Sequence, residues 1–164
     1  MDVTTQREIE TGGPYWAGRW GLYLSRVVDY LAALDCDGCD VLEVGPYTRP
    51  LVPGSMRMDI APVCSRCLLH DAGDTPWPFA ETAFRVVVAC QVWEHLAGRQ
   101  AQAFAEARRV ADLFVMTVPW YWVDGEEAHR DIGVDTVRQW SGGETVTVFD
   151  TFGGRALFVW GRLP

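Results

Sequence analysis

The chain has 164 residues, of which 49% are hydrophobic and 22% are charged, and its net charge is −8. These values are typical of one soluble globular domain with a sizeable core, and no apolar run approaches the roughly 20 residues that span a bilayer. The acidic balance argues against a nucleic-acid partner, and the N-terminus lacks the pattern of a secretory signal, so we expect a cytoplasmic protein.

The first elements along the chain are an arm and a helix. Residues 1–13 are polar and end in two glycines before Pro14, which predicts a flexible N-terminal arm ahead of a single domain over residues 14–164. Between residues 15 and 34, apolar side chains recur at helical spacing and predict an amphipathic helix. The apolar stretch 41–44 then has the character of a buried strand.

The next part of the chain is read mainly as strands. Three prolines and a glycine fall within residues 46–54, which excludes a full helix directly after the first strand. The predicted strands are 56–60, a short one around 68–70, and the continuous apolar run 84–90, which has the pattern of a buried central strand.

The C-terminal part alternates helices and strands. The predicted elements are a helix over 98–109, a strand over 113–118, a helix over 134–140, and strands over 145–149 and 156–160. The turn at Gly153 and Gly154 predicts that the last two strands pair antiparallel. The whole pattern predicts an α/β fold: a Rossmann-like, mainly parallel sheet with helices on both faces and an antiparallel C-terminal strand pair.

Acidic side chains follow the predicted parallel strands, at the edge where ligands bind in such sheets. Glu43 and Gly45 end the first strand, Asp59 ends the second and Asp71 follows the third. Residues 46–54 lack the further glycines of a phosphate-binding loop. Carboxylates instead suit a cationic, phosphate-free nucleoside, because they can accept ribose hydroxyls and an adenine amino group and favour a sulfonium.

The same stretches, in the same order, resemble those of the class I S-adenosylmethionine-dependent methyltransferases, particularly the compact small-molecule type. The matching stretches are VLEVGP (41–46), MDI (58–60), HDAGDTPWPFAETAF (70–84), VVVACQVWEHL (86–96), FVMTVPW (114–120) and AHRDIGVDTVRQW (128–140). The resemblance implies transfer of a methyl group from S-adenosylmethionine to a small-molecule acceptor. The chain departs from the family pattern in the glycines after Gly45 and in the missing helix between the first two strands.

The resemblance also implies nine cofactor-binding residues. They are Glu43, Gly45 and Pro46 at the methionine end, Asp59 at the ribose diol, Ile60 beside the adenine, Asp71 and Ala72 at the adenine edge, and Gln91 and His95 on the methyl-donor side. Simpler roles are open for the acids: Glu43 could pair with Arg49 or Arg57, and the two aspartates could form turns.

The acceptor side is read from a histidine and a set of aromatic residues. His129 would be the general base if the acceptor is a hydroxyl or phenol, although methyl transfer can also proceed by positioning and desolvation alone. The candidate walls of the acceptor pocket are aromatic residues at two places in the chain: Tyr15, Trp16 and Trp20 near the first helix, and Trp120, Tyr121 and Trp122 after the fifth strand. The alternative for these aromatics is a hydrophobic cap over the sheet.

The cysteines form two C-x-x-C pairs, Cys36 with Cys39 and Cys64 with Cys67. This spacing suits a four-thiolate zinc site, but the second strand is expected to lie between the pairs, so ordinary thiols are the other interpretation and we assign no metal. Three further interpretations of the whole chain are a methyltransferase-like binding module without turnover, a zinc-stapled interaction protein, and a nicotinamide-dependent oxidoreductase, which the absence of a G-x-G-x-x-G motif disfavours. Either a monomer or a homodimer is compatible with the sequence.

Overall fold

The computed structural model describes residues 1–35, 37–62, 67–121 and 131–161. Its α-helices are α1 (Gln6–Glu10), α2 (Ser25–Ala32), α3 (Gln100–Val110) and α4 (Val134–Trp140). Its strands are β1 (Val41–Val44), β2 (Met56–Asp59), β3 (Cys67–Leu69), β4 (Phe84–Cys90), β5 (Ala111–Pro119), β6 (Val148–Phe152) and β7 (Arg155–Gly161). A π-helical turn covers Trp20–Leu24, and short 3₁₀ helices cover Gly38–Asp40 and Trp93–His95.

The strands form one seven-stranded sheet in the order β3-β2-β1-β4-β5-β7-β6. The first five strands along the chain run parallel, and β7 pairs antiparallel with both β5 and β6. The predicted fold class is therefore confirmed. Strand order reverses between β1 and β4, which is the position where parallel sheets of this kind bind ligands.

Helices cover both faces of the sheet. On one face, Leu24, Val27 and Leu31 are buried against the side chains of β1, β4 and β5 that point to that side. On the other face, Phe104 and Ala107 of α3 pack against the alternate side chains of the same strands. Burial of each large aliphatic or aromatic side chain contributes about 1.5–3 kcal/mol, which explains why the central strands read as continuous apolar runs.

The N-terminal segment packs against the loop after β1. Thr5 caps α1 through a capping box with Glu8, and Ile9 is completely buried. The Thr4 N–H donates to the carbonyl of Leu51 at 2.7 Å. The flexibility expected for residues 1–13 stays a prediction, but these contacts connect the segment to the domain.

Two predicted boundaries are wrong. The helix expected over 15–34 begins only at Trp20, because Gly18 has a φ of +76°, which an α-helix does not accommodate. The strand expected over 145–149 is instead β6, which starts and ends three residues later. The reason is the turn at Gly153 and Gly154, both at positive φ, which makes strand pairing begin at the residues flanking it.

No helix among the described residues is long and apolar enough to cross a bilayer.

Candidate functional site

A cavity of about 330 Å³ lies at the carboxyl ends of the parallel strands, where the strand order reverses. Seven of the nine residues implied as cofactor-binding line it: Gly45, Asp59, Ile60, Asp71, Ala72, Gln91 and His95. They come from four separate strand ends, so only the fold brings them together. Ligand contact by each of them stays a prediction.

The structure shows why residue 45 is a glycine. Gly45 has a φ of +64°, a conformation that side chains with a Cβ rarely adopt. A Cβ at this position would lie 2.6 Å from Cγ2 of Val92. Its N–H donates to the carbonyl of Met58 at 2.8 Å, which joins the end of β1 to β2. The backbone thus turns under the cavity without a side chain.

Glu43 holds the loop that replaces the glycine-rich segment and the missing helix. The carboxylate is 3% exposed and accepts hydrogen bonds from the N–H of Leu51 at 2.7 Å, the N–H of Val52 at 3.0 Å and the hydroxyl of Ser55 at 2.6 Å. Burial raises the pKa of Glu43, and these hydrogen bonds and the charge of Arg57 oppose the rise. Its side chain therefore organises residues 46–55 from beneath.

Glu43 and Pro46 line a second, much smaller cavity of about 20 Å³ rather than the larger one. The two cavities share Tyr15, Val44 and Gly45 in their walls and are therefore neighbours. A role for Glu43 and Pro46 at the methionine end of a cofactor stays a prediction.

Asp59 is positioned by backbone donors on both sides. Its Oδ2 accepts from the N–H of Tyr47 at 3.2 Å and its Oδ1 from the N–H of Ala61 at 3.2 Å. Tyr47 has a positive φ of 51°, so the backbone is strained where it meets this carboxylate. These two donors therefore hold the carboxylate on the cavity wall.

Asp71 is paired with a residue that the sequence analysis missed. Its Oδ2 lies 2.9 Å from a guanidinium nitrogen of Arg99, which also bridges to Asp74 at 2.8 Å, and its Oδ1 accepts from the N–H of Gly73 at 2.8 Å. Burial alone would raise the pKa of Asp71, but the Gly73 hydrogen bond and Arg99 outweigh it and lower that pKa. Arg99 lines the larger cavity. In the sequence, Arg99 was one of several cations within the helix predicted over 98–109, and no pattern marked it as part of the site.

Gln91 directly follows β4 and has an unusual backbone conformation. Its φ is +57°, its N–H donates to the carbonyl of Thr117 at 2.9 Å, and its side-chain amide donates to the Thr117 hydroxyl at 3.3 Å. Strained conformations of this kind persist where the surrounding structure enforces them, and they cluster at functional sites. β5 thus holds Gln91 against the cavity.

The aromatic residues predicted as acceptor walls separate into two groups. Trp16 is 5% exposed, donates from Nε1 to the Thr48 hydroxyl at 2.9 Å and lines the smaller cavity. Trp120 and Tyr121 pack at the end of the C-terminal hairpin, where the ring of Trp120 lies 5.4 Å from that of Phe149, and they line neither of the two neighbouring cavities. Trp122 and His129 lie outside the described residues.

Tyr15, a predicted wall of the acceptor pocket, lies at both cavities. Its ring is 48% exposed, contributes to the walls of both cavities and lies 4.8 Å from the ring of Tyr47. The guanidinium of Arg19 lies 3.9 Å from the centre of the Tyr15 ring. These aromatic rings form the outer rim of the site.

The cysteines converge in part. Cys39 and Cys67 line one cavity of about 560 Å³ near the amino ends of β2 and β4, although β2 does separate β1 from β3. Cys36 and Cys64 lie outside the described residues. Among the residues that the structure does describe, no group of three or more histidine, cysteine, aspartate or glutamate side chains could hold a metal ion. The zinc site stays a prediction.

A more voluminous groove, of about 810 Å³, lies at the opposite end of the sheet. It is formed around the amino end of β5, and the ion pair between Arg108 and Glu144, at 3.0 Å, contributes to its wall. Ligands in parallel sheets bind outside the carboxyl ends of the strands. We therefore place the candidate site at the 330 Å³ cavity.

The fold is that of known methyltransferases. A SAM-dependent methyltransferase from Aquifex aeolicus superimposes with a TM-score of 0.64 at 13% identity, over 95% of this chain and 97% of that chain. A TehB-like SAM-dependent methyltransferase from Corynebacterium glutamicum superimposes with a TM-score of 0.62 at 14% identity, over 91% of this chain and 97% of that chain. The 16S rRNA methylase RmtB gives 0.61 at 14% identity, over 93% of this chain and 67% of that chain. No protein-family model and no curated protein sequence matches the chain.

Proposed function

We propose that this protein transfers a methyl group from S-adenosylmethionine to a small-molecule acceptor in the cytoplasm. The observation that supports the proposal best is the 330 Å³ cavity at the switch point of a methyltransferase-type sheet, lined by seven of the residues that the resemblance of the sequence implied. The two acids on this wall, Asp59 and Asp71, suit the uncharged ribose and adenine of a phosphate-free nucleoside better than they suit a pyrophosphate.

The residues of the cavity fit the parts of that cofactor. Asp59, fixed by two backbone donors, would accept the ribose hydroxyls, and the exposed side chain of Ile60 would cover the adenine. The rings of Tyr15 and Tyr47 would lie beside the cationic sulfonium, which aromatic faces attract. When bound, the cofactor would supply a methyl carbon already activated for displacement.

A small molecule is a better acceptor than RNA for this chain. The net charge of −8 disfavours a phosphate backbone, although one neighbour in fold, RmtB, is a 16S rRNA methylase. RmtB is also the longer protein, and the present chain covers 67% of it. The protein's own part in the reaction would be positioning and exclusion of water, with His129 a predicted base if the acceptor needs one.

Calorimetric titration with S-adenosylmethionine and S-adenosylhomocysteine tests the proposal. Both ligands should bind, and Asp59→Asn should weaken both by about 10- to 100-fold, because a buried pair of ribose hydroxyls loses a charged acceptor. The control is Asp29→Asn, an exposed aspartate on α2 that lies away from both cavities and should leave binding unchanged. Absence of binding by a folded protein would refute the proposal.

A second candidate function is a binding module that holds the nucleoside without turnover. The specific observation in its favour is the loop after Gly45, which lacks the further glycines of the family pattern and is held instead by the hydrogen bonds of Glu43. Cofactor binding with no methyl transfer to any of a broad panel of phenols, carboxylic acids and amines would favour this candidate.

A further inference from the structure

Arg49 brings a positive charge into the wall of the smaller cavity. It belongs to the loop after β1, and its backbone N–H donates to the carbonyl of Pro46 at 3.3 Å. Its guanidinium makes neither a hydrogen bond nor an ion pair with any other residue in the described part of the chain. An arginine side chain offers five N–H donors, so this one is available to an anionic ligand.

The acids around Arg49 have donors of their own. Glu8 of α1 interacts electrostatically with Arg49, but its carboxylate accepts from the N–H of Thr5 at 2.8 Å and from the Thr5 hydroxyl at 2.6 Å. Glu43, the acid in the wall of the same cavity, accepts three hydrogen bonds from the loop itself, and the positive charge that acts on it is that of Arg57. Neither acid therefore accounts for the position of the Arg49 guanidinium.

The N-terminal segment packs closely against the Arg49 side chain. A Cβ at Gly12 would lie 2.7 Å from Nε of Arg49 and 2.7 Å from Cδ1 of Trp16, so the missing side chain of Gly12 leaves room for both. Trp16 donates from Nε1 to the hydroxyl of Thr48 at 2.9 Å, which joins this segment to the residue before Arg49. The Arg49 side chain therefore lies between the loop after β1 and the N-terminal segment.

The smaller cavity adjoins the larger one at the end of β1. Gly45 and Tyr15 belong to the walls of both cavities, whereas Pro46 and Arg49 line only the smaller one. At about 20 Å³ the smaller cavity has room for roughly one water-sized group. It can therefore admit only the end group of a ligand whose main part lies in the larger cavity.

The other charges of the site leave Arg49 as the arginine that can serve a ligand anion. Asp59 and Asp71 line the larger cavity, and their negative charges disfavour a further carboxylate nearby. Arg99, the arginine in that wall, is already ion-paired with Asp71 at 2.9 Å. An anionic end group of a ligand would therefore be stabilised on the side of Arg49, away from these aspartates.

We propose, on the basis of the function proposed above, that Arg49 binds the carboxylate at the methionine end of S-adenosylmethionine. Glycine-rich turns bind anions through their backbone N–H groups, and the loop after Gly45 lacks the glycines that such a turn needs. A guanidinium supplies a full positive charge and two parallel N–H donors that match a carboxylate. One side chain of the loop thus takes over the binding of an anion that a turn would achieve with its backbone.

Calorimetric titration with S-adenosylmethionine and with its decarboxylated form tests this role of Arg49. The two ligands share the adenosine, the sulfonium and the ammonium group, and they differ only in the carboxylate. The native protein should bind S-adenosylmethionine roughly 10- to 100-fold more tightly, and Arg49→Gln should lower this ratio by about the same factor. The matched control is Arg26→Gln, the same change at an exposed arginine of α2 that lines neither cavity, and it should leave the ratio unchanged.

The outcomes separate this inference from the proposed function. If the folded native protein binds neither ligand, the proposed function is overturned. If Arg49→Gln weakens both ligands equally, as a purely structural role in the loop would, only the role of Arg49 is overturned. Equal affinity of the native protein for the two ligands also overturns that role, and this comparison needs no variant, so it decides the matter even if Arg49→Gln does not fold.

Discussion

Replacement of Glu94 by glutamine should stabilise the protein at alkaline pH and much less at acid pH. The carboxyl is 4% exposed, and burial raises its pKa to about 8 in the folded protein, compared with a reference value of 4.5. Between these two values the folded protein holds a proton that the unfolded chain releases. The stability of the native protein therefore falls as pH rises through this window, whereas glutamine does not titrate.

The size of the effect follows from the separation of the two pKa values. The contribution of Glu94 to the free energy of unfolding should fall by about 1.4 kcal/mol for each pH unit between pH 4.5 and pH 8 and should level off above pH 8. Over the window this amounts to roughly 4–5 kcal/mol, a large part of the 5–15 kcal/mol that is typical of a domain. The free energy of unfolding of Glu94→Gln minus that of the native protein should therefore be larger at pH 9 than at pH 4.5 by this amount.

Urea denaturation followed by tryptophan fluorescence at five pH values from 4.5 to 9 measures this difference. Other titrating groups are common to both proteins, so they cancel when the two free energies are subtracted. The matched control is Glu10→Gln on α1, the same substitution at an exposed glutamate. A difference for Glu94→Gln that does not change with pH would refute the reasoning from burial.

Three further substitutions test the loop and the cavity wall. Glu43→Ala leaves buried loop donors without an acceptor and should cost about 3–5 kcal/mol of unfolding free energy, measured in urea; a cost below 1 kcal/mol would contradict the role of Glu43 in the loop. Gly45→Ala should cost roughly 1–3 kcal/mol from its positive φ and its contact with Val92, and Val92→Ala added to it should recover only the contact part. Arg99→Gln should raise the pKa of Asp71, which a ¹³C titration of the aspartate carboxyls would detect; an unchanged midpoint would show that Gly73 and not Arg99 sets it.

The loop after β1 illustrates how this fold can do without its usual glycines. A helix and a glycine-rich turn normally follow this strand in the family that the sequence resembles. Here the buried carboxylate of Glu43 accepts hydrogen bonds from the N–H groups of Leu51 and Val52. In a helix, backbone carbonyl groups would accept from such N–H groups; here a side chain does so instead. At the turn itself Gly45 is required, because a Cβ there would lie 2.6 Å from Cγ2 of Val92.

The sequence by itself determined the fold class, the strand positions in the core and seven of the residues around the cavity. Continuous apolar runs such as 84–90 can be buried only in a central strand covered on both faces, and β4 has those bounds in the structure. The acids and glycine at the strand ends could be assigned to one edge because parallel strands bring their carboxyl ends together. The bounds of β6 were predicted wrongly because they depend on its pairing with β7 across the hairpin turn, which a local apolar pattern does not show.

Only the tertiary structure decided what each of these polar groups contacts. Glu43 and Glu94 read alike in the sequence, each an acid near a strand end, yet one accepts three hydrogen bonds and the other has an oxygen without a partner among the described residues. Likewise, the pairing of Asp71 with Arg99 spans 28 positions in the chain. Burial and hydrogen-bond partners arise from residues far apart in sequence, and they set the pKa and the reactivity that the spacing of residues alone does not encode.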